Sequence, residues 1–303
     1  MTNFDYYAPT KVVFGKGTED QAGDLVREQG ATKVLVHYGS GSVKRSGLLE
    51  RIYQSLDQAG IPFVSLGGVV PNPRLSLVYQ GIELCKKEHV DFILAVGGGS
   101  VIDSGKAIGY GVANEGDVWD FYERKRVAGG CLPIGVVLTI AAAGSEMSNS
   151  SVITNEDGWL KRGYGNDCCR ARFAVMDPEL TMTLPKYQTA SGCVDIMMHT
   201  MERYFNQEEN LDLTDGFSEH LIRTVMENAR ILMKEPDNYK ARAEVMWAGS
   251  LSHNGLTGCG TAGGDWASHQ LEHELGGMFD VAHGAGLSAV WGSWARYVLE
   301  GNP

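Results

Sequence analysis

Asp91-Phe92-Ile93-Leu94-Ala95-Val96-Gly97-Gly98-Gly99-Ser100 is the stretch that decides the fold. A mostly apolar run of strand-forming residues meets three glycines, and the chain from Val101 to Val112 then reads as a helix. A strand that ends in glycines and opens a helix makes an anion site. The backbone N–H groups at the helix N-terminus point outward, and glycine lets a phosphate come close. Asp103 and Lys106 fall one turn in, where they would meet a ribose or brace each other. The pattern is neither G-x-G-x-x-G nor the P-loop, which needs a G-K-[ST] that this chain lacks here.

Working outward, the same rhythm repeats. Lys33 to Tyr38 reads as a buried strand that stops at Gly39. Gly47 to Ala59 carries Leu48, Leu49, Ile52 and Leu56 at helical spacing. Pro62 to Leu66 is another strand, and Leu77 to His89 a helix with Val78, Ile82 and Cys85 on one face. Pro133 to Leu138 and Phe173 to Pro178 read as a further strand and a last strand with its turn. Alternating strands and helices predict βαβ units, so residues 1–180 are expected to form a Rossmann-like α/β domain on a mostly parallel sheet. Such sheets bind ligands at the carboxyl ends of their strands, where the glycine clusters at 39–41 and 97–99 fall. Beyond Leu180 strand signals vanish. Thr189 to Phe205, Thr214 to Met233 and Lys240 to Ser252 read as helices, predicting an all-α domain over residues 181–303.

The loop Gly39-Ser40-Gly41-Ser42-Val43-Lys44-Arg45 bears on the cofactor. An acidic residue after this strand would take an adenosine 2′-hydroxyl and select NAD. Two serines and two cations stand there instead, which suit a 2′-phosphate and favour NADP over NAD.

A metal signal follows. Asp195 and His199 are four apart, as are His269 and His273, and i, i+4 residues share a helix face. His283 comes shortly after. Buried carboxylate and imidazole groups need partners, and one divalent cation would satisfy a set of them. Nitrogen and oxygen ligands fit Fe²⁺, Zn²⁺, Ni²⁺ or Mn²⁺ without deciding among them. The spacing is not that of the H-E-x-x-H zincins, because Glu272 adjoins His273 and not His269.

Composition narrows the alternatives. The chain has 303 residues, enough for two domains, with 43% hydrophobic and 21% charged residues. A net charge of −11 argues against nonspecific nucleic-acid binding, which needs clustered cations. No run reaches the ~18 apolar residues of a membrane span, and the opening Met1 to Tyr7 does not read as a signal peptide, so a cytoplasmic protein is expected. None of the six cysteines form a C-x-x-C pair, which leaves free thiols as the simple reading.

With both signals in place, the chain resembles the iron-containing (group III) alcohol dehydrogenases, in particular their butanol dehydrogenase and NADP-dependent aldehyde reductase branch. The resemblance rests on Pro9 to Gly17, Pro71-Asn72-Pro73-Arg74, Gly97 to Ser100 with Asp103 and Lys106, Gly144-Ser145-Glu146, Asp177-Pro178 and Gly264 to His269. It implies hydride transfer between NADP, or NAD, and a short-chain alcohol or aldehyde. It implies Asp195, His199, His269 and His283 as ligands of Fe²⁺ or Zn²⁺, with Ni²⁺ or Mn²⁺ as alternatives. It implies His273 as a proton relay, and Gly98, Gly99 and Ser100 as the pyrophosphate site. Asp103, Thr139 and Lys161 would adjoin the cofactor further along, and Gly39, Ser40 and Ser42 would surround the 2′-phosphate. A homodimer or larger homo-oligomer is expected.

Two departures stand out. The threonine- and glycine-rich run before Gly144 reads Leu138-Thr139-Ile140-Ala141-Ala142-Ala143, where only Thr139 keeps a hydroxyl. Family members also continue past the last ligand with further helices, so the helical domain is expected to be truncated at Pro303. Polyol dehydrogenase or dehydroquinate synthase-like chemistry on the same scaffold, and an inactive truncated homologue, are the competing expectations.

Overall fold

The computed structural model describes residues 1–301. The chain clusters into two compact units. One comprises Pro9–Thr139 and Ser145–Leu180, and the other comprises Met1–Ala8, Ile140–Gly144 and the chain from Thr181 onward.

The first unit is α/β. Its strands are β1 (Lys11–Phe14), β2 (Val34–Gly39), β3 (Phe63–Val69), β4 (Phe92–Gly97), β5 (Ile134–Leu138), β6 (Ser150–Asn155), β7 (Leu160–Gly165) and β8 (Phe173–Met176). Its helices are α1 (Ala22–Glu28), α2 (Ser42–Arg45), α3 (Leu48–Gln58), α4 (Leu75–Glu88), α5 (Gly99–Ala113) and α6 (Trp119–Tyr122). Six strands form one sheet in the order β1-β8-β5-β4-β2-β3, every neighbouring pair parallel. The strands β6 and β7 pair antiparallel as a separate hairpin. Strands inside a parallel sheet are covered on both faces, which is why β4, β5 and β8 read as unbroken apolar runs and β2 as one broken only by His37. The strands β2 and β4 are neighbours with Tyr38 opposite Val96, so the glycine ends of both strands lie side by side. Gly97 is required there, because a Cβ would come 2.5 Å from the Val101 side chain.

His37 sits in the middle of β2 with no exposed surface. Its Nδ1–H donates to the Leu66 carbonyl at 2.9 Å, and Nε2 accepts from the Ser104 hydroxyl of α5 at 2.8 Å. Burial pushes its pKa from the ordinary 6.5 down to about 4, against a smaller opposite pull from the Leu66 carbonyl. The unfolded chain therefore takes up a proton at pH values where the folded chain does not. The resulting stability is fully present above pH 6.5 and lost as pH falls toward 4, to about 3 kcal/mol. Urea unfolding of wild type and His37→Gln should show this directly: the difference between their unfolding free energies shrinks by about 3 kcal/mol from pH 6.5 to pH 4. A difference that stays constant with pH would contradict the neutral, buried imidazole.

Lys106 is also fully buried on α5. Its ammonium donates to the carbonyls of Ser145 (2.7 Å), Ser148 (3.0 Å) and Ser150 (2.8 Å), and contacts the hydroxyls of Ser145 and Ser148. Of the two expectations for Lys106, a ribose contact or a brace with Asp103, this burial disfavours the first. The brace between them runs through Ser145, whose hydroxyl donates to Asp103 at 2.5 Å.

The second unit is helical, and no strand follows residue 180 among the described residues. Its helices are α7 (Lys186–Tyr204), α8 (Asp212–Leu232), α9 (Tyr239–His253), α10 (Ala267–Phe279) and α11 (His283–Leu299). Cys193 and Ile196 of α7 pack with Leu221, Val225 and Leu232 of α8 and with Ala241, Val245 and Ala248 of α9. At two points α7 admits main chain alone. A Cβ on Gly192 would meet the Ala141 carbonyl oxygen at 2.3 Å, and a Cβ on Gly284 of α11 would meet the Ser191 carbonyl oxygen at 1.9 Å.

Candidate metal centre and cofactor loops

Three helices of the second unit converge their polar faces. Asp195 and His199, one turn apart on α7, are both buried. Nδ1 of His199 donates to the Asp195 main-chain carbonyl at 2.9 Å and lies 3.1 Å from its carboxylate. His269 enters from α10, and His283 is the first residue of α11. Ligand atoms of Asp195, His199 and His269 all lie within 4.8 Å of one another. His283 presents Nε2 at 3.6 Å from the Asp195 carboxylate. It also belongs to an adjoining group, Glu272, His273 and His283, whose ligand atoms again lie within 4.8 Å of one another. The rings of His273 and His283 are 5.8 Å apart, centre to centre.

His269 tests whether these residues suit a cation. Its Nδ1 is hydrogen-bonded to the Glu202 carboxylate at 2.8 Å. Its Nε2 is buried and makes no hydrogen bond. Burial, reinforced by His199, His283, His273 and His253, holds its pKa well below the ordinary histidine value, so the ring is neutral. A neutral imidazole with a buried, unused lone pair beside a carboxylate and further imidazoles is the donor set that Fe²⁺ or Zn²⁺ takes. The residues fit the metal.

Sequence reasoning missed the residues behind this set. Glu202 and Glu272 are buried and bond to the rings of His269 and His283. Arg203 is buried beside them. It donates to the His199 carbonyl at 2.6 Å and to the Ser252 carbonyl at 3.0 Å, contacts Nδ1 of His253 at 3.0 Å, and lies 4.5 Å over the Trp266 ring. Burial lowers the Arg203 pKa to about 10, so it stays charged at neutral pH. The His253 ring lies against that of His199, 4.1 Å between centres. The signal for Glu202 was present: it lies three residues after His199, on the same helix face.

In the α/β unit, Gly98 precedes α5 in extended conformation, and Gly99 and Ser100 form its first turn. Thr139 directly follows β5, its N–H donating to the Gly97 carbonyl. Gly98, Gly99, Ser100 and Thr139 thus gather at one end of β4 and β5, with Gly39 one strand over. Ser40 and Ser42 are exposed, as are Lys44 and Arg45, and the Lys44 ammonium lies 5.1 Å over the Tyr38 ring. Asp103 is committed within the fold: besides Ser145, its carboxylate accepts the Val152 N–H at 3.0 Å and its carbonyl the Ser151 hydroxyl at 2.9 Å. Lys161 is buried on β7, opposite Thr154.

A glycine-ended parallel sheet in one unit and a buried Asp/His cluster in the other define a class, the dinucleotide- and metal-using dehydrogenases. The model of the iron-containing alcohol dehydrogenases matches residues 9–178, and that of the C-terminal region of the same family matches residues 189–303. The chain belongs to the iron-containing alcohol dehydrogenase family. It is 44% identical over 300 residues to the NADH-dependent butanol dehydrogenase A of Clostridium acetobutylicum, covering 99% of this chain and 77% of that protein. It is 38% identical over 294 residues to an NADPH-dependent aldehyde reductase of Escherichia coli, covering 96% and 74%. The crystal structure of an NADH-dependent butanol dehydrogenase A from Thermotoga maritima superposes with a TM-score of 0.98 at 42% identity, covering 100% of this chain and 76% of that one.

Proposed function

We propose that this protein transfers a hydride between NAD(P)H and a short-chain aldehyde or primary alcohol, with Asp195, His199, His269 and His283 holding a divalent cation. The observation that carries this reading is the buried, unused Nε2 of neutral His269 beside Asp195 and His199, in a chain of this family. A cation held there supplies a Lewis acid, which lowers the pKa of an alcohol and polarises a carbonyl. Gly98, Gly99 and Ser100 bind the pyrophosphate at the N-terminus of α5. Asp103, Thr139 and Lys161 adjoin the cofactor on the α/β unit. His273, half-buried beside His283, carries the alcohol proton. Gly39, Ser40 and Ser42, with Lys44 and Arg45 following, form a loop without an acidic residue, which favours NADPH while leaving NADH usable. Relatives named for each cofactor match the chain. Six free cysteines and the use of NAD(P) suit the reducing cytoplasm.

The test is oxidation of NADPH, and in parallel NADH, with butyraldehyde after loading with Fe²⁺ or Zn²⁺. Metal-dependent turnover is expected with both, with the lower KM for NADPH. His273→Ala should lose about 10²-fold or more in turnover and its pH dependence. Full activity of that variant across pH removes the relay. Absence of turnover by folded, metal-loaded wild type refutes the function.

A further inference from the structure

We propose that Glu202 and Glu272 are positioning residues for the metal centre: each holds Nδ1 of one ligand imidazole, and so presents Nε2 as the ligating atom. The inference rests on the ligand set just proposed. The Glu202 carboxylate takes both the ring Nδ1–H of His269 at 2.8 Å and its main-chain N–H at 3.1 Å, through one oxygen. It therefore fixes the ring and the backbone of that ligand together. The Glu272 carboxylate takes Nδ1 of His283. Both glutamates are buried.

An ionised carboxylate accepts hydrogen bonds and donates none. A neutral imidazole bonded to it through Nδ1 carries its proton on Nδ1, so its lone pair stands on Nε2. The partner also makes the ring a stronger donor to a cation. His199 obeys the same rule by other means, with Nδ1 held by the Asp195 main-chain carbonyl of its own helix. In their neutral forms all three imidazoles share one tautomer, but only at His269 and His283 is it set by a side chain.

The arrangement is also sequential. Glu202 on α7 grips a ligand on α10, and Glu272 on α10 grips a ligand on α11. Each helix that contributes a carboxylate aims the ligand of the next ligand-bearing helix. A cation then meets rings already turned toward it, without a proton shift or a ring flip.

Glu202→Gln, Glu272→Gln and a His269→Ala control test this in the full-length protein. Each is first checked for a wild-type far-UV spectrum and a cooperative melt without metal. Affinity for Co²⁺ is then read by competition with a chromophoric chelator, together with the visible Co²⁺ absorption bands. The glutamine variants are expected to bind about 10- to 100-fold more weakly, with shifted bands. The His269→Ala control is expected to lose stoichiometric binding. Wild-type affinity and bands in both glutamine variants, beside loss in His269→Ala, overturn the positioning role alone. Wild-type binding by His269→Ala overturns the ligand set, and the positioning role with it. Should a glutamine variant fail to fold, ¹⁵N chemical shifts of the histidine rings in metal-free wild type decide. The Nδ1–H tautomer at His269 and His283 supports the proposal, and the Nε2–H tautomer at both refutes it.

Discussion

Asp195→Ala is expected to leave a folded protein that no longer retains metal through dialysis and whose aldehyde reduction falls by about 10³-fold or more. Asp195 is the one carboxylate among the proposed ligands, and the three imidazoles bring no charge. Its removal leaves a doubly charged cation with neutral donors in a buried site, where charge compensation counts most. A Lewis acid contributes several kcal/mol to carbonyl polarisation, and about 4 kcal/mol of barrier is a factor of 10³. Asp195→Asn separates charge from shape, since the amide keeps the size and one oxygen. Metal content per chain after dialysis is the measurement. Full stoichiometry in both variants would remove Asp195 from the ligand set.

Lys106→Met should be the most damaging change in the α/β unit, costing about 3–5 kcal/mol of stability. Methionine fills the volume but donates nothing, so the carbonyls of Ser145, Ser148 and Ser150 lose a charged donor in a buried place. Lys106→Arg should not rescue it. The cage closes around a compact ammonium at 2.7–3.0 Å from those carbonyls, and a planar guanidinium is too wide for it. A drop in melting temperature of about 10 °C or more is expected. A Lys106→Met protein within 1 kcal/mol of wild type would mean that water replaces the ammonium at no cost.

The sequence-based reading and the structure agree where a signal was local and periodic. The strands β4 and β5 are buried on both faces and so appear as continuous apolar runs, and β2 does so but for His37. The helices α7 and α10 of the proposed metal centre were legible because Asp195 and His199, like His269 and His273, repeat at one turn. The strand β1 escaped notice because it is four residues long and half-exposed, held chiefly by pairing with β8. The hairpin β6–β7 escaped because Ser150, Ser151, Thr154 and Asn155 look like loop, although Asp157-Gly158 is a turn signal. Lys106 shows a different limit. Its partners are main-chain carbonyls some forty residues away, and nothing in residue identity announces a carbonyl cage. Glu202 and Glu272 were readable by spacing, yet a glutamate on a helix is ordinarily solvated, so only burial together with the imidazole partners marks these two.

The contact of Gly284 with the Ser191 carbonyl bears on which ions the centre accepts. His283 adjoins Gly284, and Ser191 lies one turn before Asp195. The separation of Asp195 and His283, both proposed ligands, is therefore gauged by main chain resting on main chain, with no compressible side chain in the gap. A rotamer change cannot open such a gauge; only the sliding of a whole helix can. Adaptation to an ion of different radius would have to begin at these small residues, far less conspicuous than the histidines, and would alter the coordination sphere while leaving every ligand in place.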